Sequence, residues 1–241
     1  LQPAFAGVYE ITYTATDVYV RSSGLPFHIM GPWYLNDTKT NIFPNYPANR
    51  NRIFRFPRTP LAVPATKTPT HLGDIGMFVD GVAMYDSKDA FSYNNANSDD
   101  ANPAAAFTGD DVWNRDAYVN EAVTFDAANA HQGGNTNHYH ANPPGCRHLL
   151  GDSVDYDPAT NRYTENFNGK HSPILGGMKD GYPLYGPYGY SVPNDANSVV
   201  KRMASGYQRR NLANGAARDS LPDWVNHLQN RSTTIAANVY G

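Results

Sequence analysis

His138-Tyr139-His140 sets two imidazoles one residue apart, and His131 lies upstream across Gln132-Gly133-Gly134-Asn135-Thr136. In an extended chain alternate side chains share a face, so His138 and His140 point one way and Tyr139 the other. The glycines at 133 and 134 let the chain turn back and bring His131 beside the pair. Three imidazoles suit zinc or copper and leave an open position for water or substrate, which makes the site a candidate for catalysis. The plainer reading is a pair of hydrogen-bonded histidines on a half-wet strand, with no metal.

Other residue types around this group could support it. Asp126 precedes His131 closely enough to orient an imidazole, or it caps a turn. Asp152, Asp155 and Asp157 crowd three carboxylates into one segment, as a calcium loop would. Their spacing is not that of an EF-hand, so a hydrogen-bonded turn is the simpler reading. Gly181-Tyr182-Pro183-Leu184-Tyr185-Gly186-Pro187-Tyr188-Gly189-Tyr190 is an extended, turn-rich stretch. Its tyrosines either line a wet groove or pack at a surface.

Composition narrows the function classes. Charged residues are 17% of the 241, the net charge is -3 and the pI about 6.2, so nothing points to a nucleic-acid partner. Arg50, Arg52, Arg55 and Arg58 read as a solvated face with local salt bridges rather than a phosphate site. No apolar run approaches the roughly 18 residues that span a bilayer. Cys146 is the only cysteine, so no disulfide forms within the chain and stability comes from packing or bound metal. The start at Leu1, the scarcity of lysine and the sequons at Asn36 and Asn230 fit an exported chain whose signal segment has been removed, placed in the periplasm, at the cell surface or outside the cell.

The elements that must position these residues are mainly strands. Tyr9 to Val20 alternates like one half-buried strand, and Asn51 to Phe56 like another. Between them, Gly24, Pro26, Gly31 and Pro32 leave His28 on a loop. Gly73 to Val79 is a buried strand that turns at Asp80-Gly81 and returns through Val82 to Tyr85. Ser87 to Gly109 reads as a surface excursion, Asp110 to Asn120 as a short helix, and Ala122 to Asp126 as a strand. Helices are expected at Asn197 to Tyr207 and Asp223 to Gln229, the second capped by Ser220. Nothing repeats at a fixed period and no linker divides the chain. The expected fold is a mainly β (β-rich α+β) single domain over 1–241, a sandwich or barrel-like sheet with a few peripheral, mostly C-terminal helices.

The chain resembles the YHYH domain family, named for a Tyr-His-Tyr-His motif. The matching stretches are Val20-Arg21-Ser22-Ser23-Gly24-Leu25-Pro26-Phe27-His28, Gly73-Asp74-Ile75-Gly76 through Asp80-Gly81-Val82, His138-Tyr139-His140, and His171-Ser172-Pro173-Ile174-Leu175-Gly176 through Pro187. Asn137 stands where the motif has its first tyrosine, and Asn129-Ala130 where a glycine pair is expected. The resemblance maps the upstream histidine onto His131 and the motif histidines onto His138 and His140. It also ranks His28 and His171 above His148 as further ligands. The family implies no settled reaction. The leading expectation is therefore an exported three-histidine metalloenzyme, hydrolytic on a small-molecule or polymeric extracellular substrate, with Asp126, His171 or Asp180 as acid-base residues and Tyr185 in the cleft wall. Copper redox chemistry and a non-catalytic metal- or carbohydrate-binding domain are the alternatives.

Overall fold

The computed structural model describes residues 7–65, 70–94, 99–101 and 114–204. Two compact units emerge, one comprising Leu1–Asp86 and Val123–Met203, the other Ser87–Ala122 and Ala204–Gly241. In chain order the first unit opens with β1 (Val8–Tyr13), β2 (Asp17–Ser22), β3 (Arg52–Pro57), β4 (Asp74–Phe78) and β5 (Ala83–Tyr85). The second unit holds β6 (Lys88–Asn94), β7 (Asp99–Ala101), β8 (Asn114–Asp116) and α1 (Ala117–Glu121). A 3-10 turn at Ala122–Thr124 follows, and then β9 (Ala130–Gly133), β10 (Thr136–Tyr139), α2 (Pro144–Leu149), β11 (Val154–Asp157), β12 (Arg162–Glu165), β13 (Ile174–Met178), β14 (Pro183–Tyr185), β15 (Tyr188–Tyr190) and β16 (Val200–Arg202) complete the first unit.

The fold is mainly β, and its strands lie in several sheets. The largest has six strands in the order β14-β13-β4-β5-β10-β9 and is open at both edges among the described residues, which form no closed barrel. One face of this sheet presents Met77 and Ala83 to Val20 and Phe54 of the antiparallel sheet β1-β2-β3, which gives a sandwich-like core. Its other face carries Phe78, Met84, Tyr139 and Leu175, and Cys146 of α2 packs against them. The period-two alternation of strands thus produces two apolar layers.

Five local expectations are corrected. Tyr9 to Val20 is a hairpin and not one strand, because the Thr14 hydroxyl accepts the amide of Asp17 at 3.0 Å and turns the chain between β1 and β2. The Ser87 to Gly109 excursion contains β6 and β7, and β6 also pairs with β8, so backbone pairing overrides a polar composition. The strand expected at Ala122 to Asp126 is a 3-10 turn, since buried Asp126 draws the chain round into β9. At Asn197 to Tyr207 the described part forms β16, which pairs with β15 (Tyr190 opposite Val200), and the two adjacent β-branched valines favour that extended form. The helix expected at Asp110 to Asn120 reduces to α1 among the described residues. Asp223 to Gln229 and Asn230 lie outside them.

The structure also reveals a duplication, which corrects the reading that nothing repeats: Gly76, Asp80, Gly81 and Tyr85 recur in the same order and spacing as Gly176, Asp180, Gly181 and Tyr185. Hairpins β4-β5 and β13-β14 turn at Asp80-Gly81 and Asp180-Gly181, where Gly81 (φ 87°) and Gly181 (φ 91°) adopt left-handed backbone. They meet across β4 and β13 in a symmetric register, Gly76 opposite Met178, Met77 opposite Gly177 and Phe78 opposite Gly176. The amide of Val79 donates to Leu175 O at 2.8 Å, and that of Lys179 to Ile75 O at 2.9 Å, as a local two-fold requires. Glycine recurs at 76 and 176 because a Cβ at either position would strike backbone of the opposing strand, at Gly177 O and Met77 O.

Candidate metal centre

The hairpin β9-β10 builds the site. Gly134-Asn135 closes it, with Gly134 in left-handed backbone at φ 61°, and the antiparallel register puts His131 opposite His138. His138 and His140 share the strand face expected of alternate residues, and the three Nε2 atoms converge: His138 Nε2 lies 2.9 Å from that of His131 and 3.1 Å from that of His140. Ligand nitrogens of a tetrahedral zinc site stand roughly 3.3 Å apart, given Zn–N of about 2.0–2.1 Å. The spacing therefore suits one ion held by three rings.

Each ring is fixed from behind. His138 Nδ1 donates to Thr136 O at 3.1 Å and His140 Nδ1 donates to Asp86 O at 2.7 Å, while Thr124 Oγ1 lies 2.7 Å from His131 Nδ1. A carbonyl only accepts, so in neutral His138 and His140 the proton sits on Nδ1 and Nε2 carries a lone pair. Two such lone pairs facing each other repel, and a cation between them removes the conflict. Burial, and then the neighbouring His131 and His140, pushes the pKa of His138 well below the usual imidazole value, which keeps it neutral and able to ligate.

The surroundings are aromatic. Tyr85 of β5 stacks on His138 at 3.8 Å between ring centroids, and Phe125 packs edge-on against His131 at 4.9 Å. Both were missed from the sequence. Tyr85 has a legible signal, since it alternates onto the face of Ala83, the register partner of His138. The Asp86 carbonyl has none, because any residue supplies a backbone oxygen.

The remaining sequence candidates do not gather here. His28 lies with Tyr139 on the opposite face of β10: its Nδ1 donates to Ile29 O at 2.9 Å, and Nε2 stands 2.5 Å from the Tyr139 hydroxyl. The structure therefore does not bring His28 to the three-histidine group, since the loop holding it packs behind the strand. The same hydroxyl is 3.1 Å from Asp80 Oδ2, and burial pushes the Asp80 carboxyl up to about 6. Asp126 accepts the amides of Gly31, Ala128 and Ala130, so it ties loop to turn and contacts no imidazole; burial pushes its pKa up to about 6. His171 donates from Nδ1 to Ser172 O at 2.7 Å and packs against Tyr185 and Tyr190 in the second hairpin region. Asp180 is exposed and accepts the amide of Tyr182 within its own turn. Tyr185 is 46% exposed, away from the three-histidine hairpin in strand order.

Asp152, Asp155 and Asp157, the calcium candidates, are not gathered into one set of ligands. Asp152 pairs with fully buried Arg147 at 2.6 Å, Asp155 accepts from Asn166 at 2.6 Å, and Asp157 accepts from Thr160 at 2.7 Å. Alternation along β11 turns Asp155 and Asp157 to one side, and each carboxylate finds a separate protein partner. The arginines behave as expected of local pairs, Arg52 with Asp74 and Arg55 with Asp17, both at 2.9 Å.

The sequence model of the family described as YHYH protein matches residues 53–236. The chain belongs to the YHYH family. The matched span contains His131, His138 and His140, whereas Val20 to His28 precede it. No curated protein and no solved structure matches the chain. Asn137, where this YHYH protein departs from the motif tyrosine, is buried opposite Gln132 and faces away from the three histidines, so the departure leaves the centre untouched.

Proposed function

We propose that this YHYH protein binds one divalent transition-metal ion through Nε2 of His131, His138 and His140. The observation that carries the reading is the convergence of three Nε2 atoms whose rings are held from behind at Nδ1. Zinc in such a three-nitrogen set keeps a position for water, lowers the pKa of that water and polarises a carbonyl or phosphoryl group. The reading extends to hydrolysis of an extracellular substrate, with buried His131 and His138 as fixed ligands and half-buried His140 on the accessible side. Asp126 is not assigned as the base, because its oxygens accept three backbone amides.

A second reading, copper redox chemistry, is favoured by the Tyr85 ring stacked on His138. Export is supported by the composition and by the Asn36 sequon; no helix among the described residues is long and apolar enough to cross a membrane. Elemental analysis of untagged protein decides between the ions. About one zinc per chain supports the hydrolytic reading and copper the redox one. Protein that holds neither, and that no divalent ion stabilises, refutes both.

A further inference from the structure

Beside the histidines, within the same unit, lies an open cavity of about 470 Å³ lined by Met30, Gly31, Trp33, Tyr34, Phe43 and Tyr46, among others. It falls within the 300–1,000 Å³ range of small-molecule sites, and apolar and aromatic lining is the usual character of such sites. Its walls are preformed. Tyr34 bridges Ile42 in antiparallel fashion, Phe43 N donates to Trp33 O at 3.1 Å, and Asn36 Oδ1 accepts the amides of Thr40 and Asn41 to close the tip. The floor is tied to the metal hairpin, since Trp33 Nε1 donates to Ala130 O at 3.0 Å. Phe43 lines the cavity and also packs edge-on to His131 at 6.5 Å.

We infer that this groove is a binding site for a small uncharged aromatic compound. Among the described residues no Asp, Glu, Lys, Arg or His lines it, so a charged ligand would lose hydration without gaining a partner. A sugar would need several hydrogen-bonding side chains, and among the described residues the lining offers only the indole, already committed to Ala130, and two tyrosine hydroxyls. Flat aromatic faces and edges remain: Trp33 and Tyr46 stand edge to face at 6.4 Å, and Tyr46 is 58% exposed at the mouth. Ring binding stands on the groove alone. Its use as the substrate pocket of the histidine centre rests on the metal reading above.

The test is calorimetric titration of the full chain with 2-naphthol, with benzoate and cellobiose as charged and sugar comparators. The expected result is saturable one-to-one binding of 2-naphthol and none of the comparators. Tyr46→Ala, at an exposed position that spares the fold, and Phe43→Ala each weaken it about tenfold, the size of a lost aromatic contact with its buried area. No saturable binding, binding that neither substitution weakens, or preference for cellobiose overturns the inference. Zinc and copper content is measured on the same samples, as is the change in Tm on adding each ion. Protein that holds neither zinc nor copper, that no divalent ion stabilises, and that still binds 2-naphthol refutes the metal reading and leaves the groove standing, and metal-loaded protein without ring binding does the reverse.

Discussion

Replacing His138 by alanine removes the ligand whose Nε2 approaches both others, at 2.9 and 3.1 Å. An ion present at about a thousand times its Kd stabilises the native state by about 4 kcal/mol. For a chain of this size that is a rise in Tm of about 8–16 °C. Structural zinc binding of about 10–16 kcal/mol over four ligands assigns roughly 2.5–4 kcal/mol to each, so loss of one ligand weakens binding about 100- to 1,000-fold. At the same zinc concentration the variant then gains only about 0.4–1.4 kcal/mol, a rise of about 1–6 °C. The assay is thermal unfolding with and without zinc. His28→Ala is the control, because that ring lies on the far side of β10 and its loss lowers the baseline Tm without changing the zinc-induced rise. A wild-type rise in His138→Ala, or an equal loss in His28→Ala, refutes the site.

Proton competition gives a second expectation. The lowered pKa of His138 means that protons compete with zinc for this ring only below pH 6.5, and the metal-free protein loses this group's contribution as pH falls below 6.5, where the unfolded ring takes up a proton first; release centred above pH 7 in a zinc titration counts against it. Asp80, raised from 3.8 to about 6, contributes stability that is fully present below about pH 3.8 and lost as pH rises through 6. Asp80→Asn keeps an acceptor for the Val82 amide and gains a donor toward Tyr139, so urea unfolding at pH 8 should show a gain of up to about 3 kcal/mol and a flatter profile between pH 4 and 7. Arg147→Met strands buried Asp152 and costs about 3–5 kcal/mol in urea unfolding, while Arg147→Met with Asp152→Ala recovers part of it. Gly176→Ala drives a Cβ into β4 backbone and costs about 1–3 kcal/mol, whereas alanine at Gly134, where a Cβ meets nothing, costs only the strain of its positive φ.

Local rules were legible wherever one segment supplied its own partners. The β9-β10 hairpin follows from glycines between two extended runs, and the face shared by His138 and His140 follows from period two. The Asp80-Gly81 turn was read for the same reason. Failures arose where a distant segment decided. Asn197 to Tyr207 has near-helical spacing, but β15 offers it an edge to pair with. His28 and His171 each sit in a promising stretch, yet Tyr139 and the tyrosines of the second hairpin occupy them. Asp152, Asp155 and Asp157 are close in sequence and divide among Arg147, Asn166 and Thr160 in space.

The sequence by itself determined which three imidazoles could meet, because a strand alternates its side chains and a glycine turn reverses the chain within a few residues. Only the tertiary structure decided what stands behind and beside them. The Asp86 carbonyl on His140 Nδ1, Tyr85 on His138 and the aromatic groove against His131 all come from residues far along the chain, brought close by the pairing of β5 with β10 and the packing of the Trp33 loop on β9.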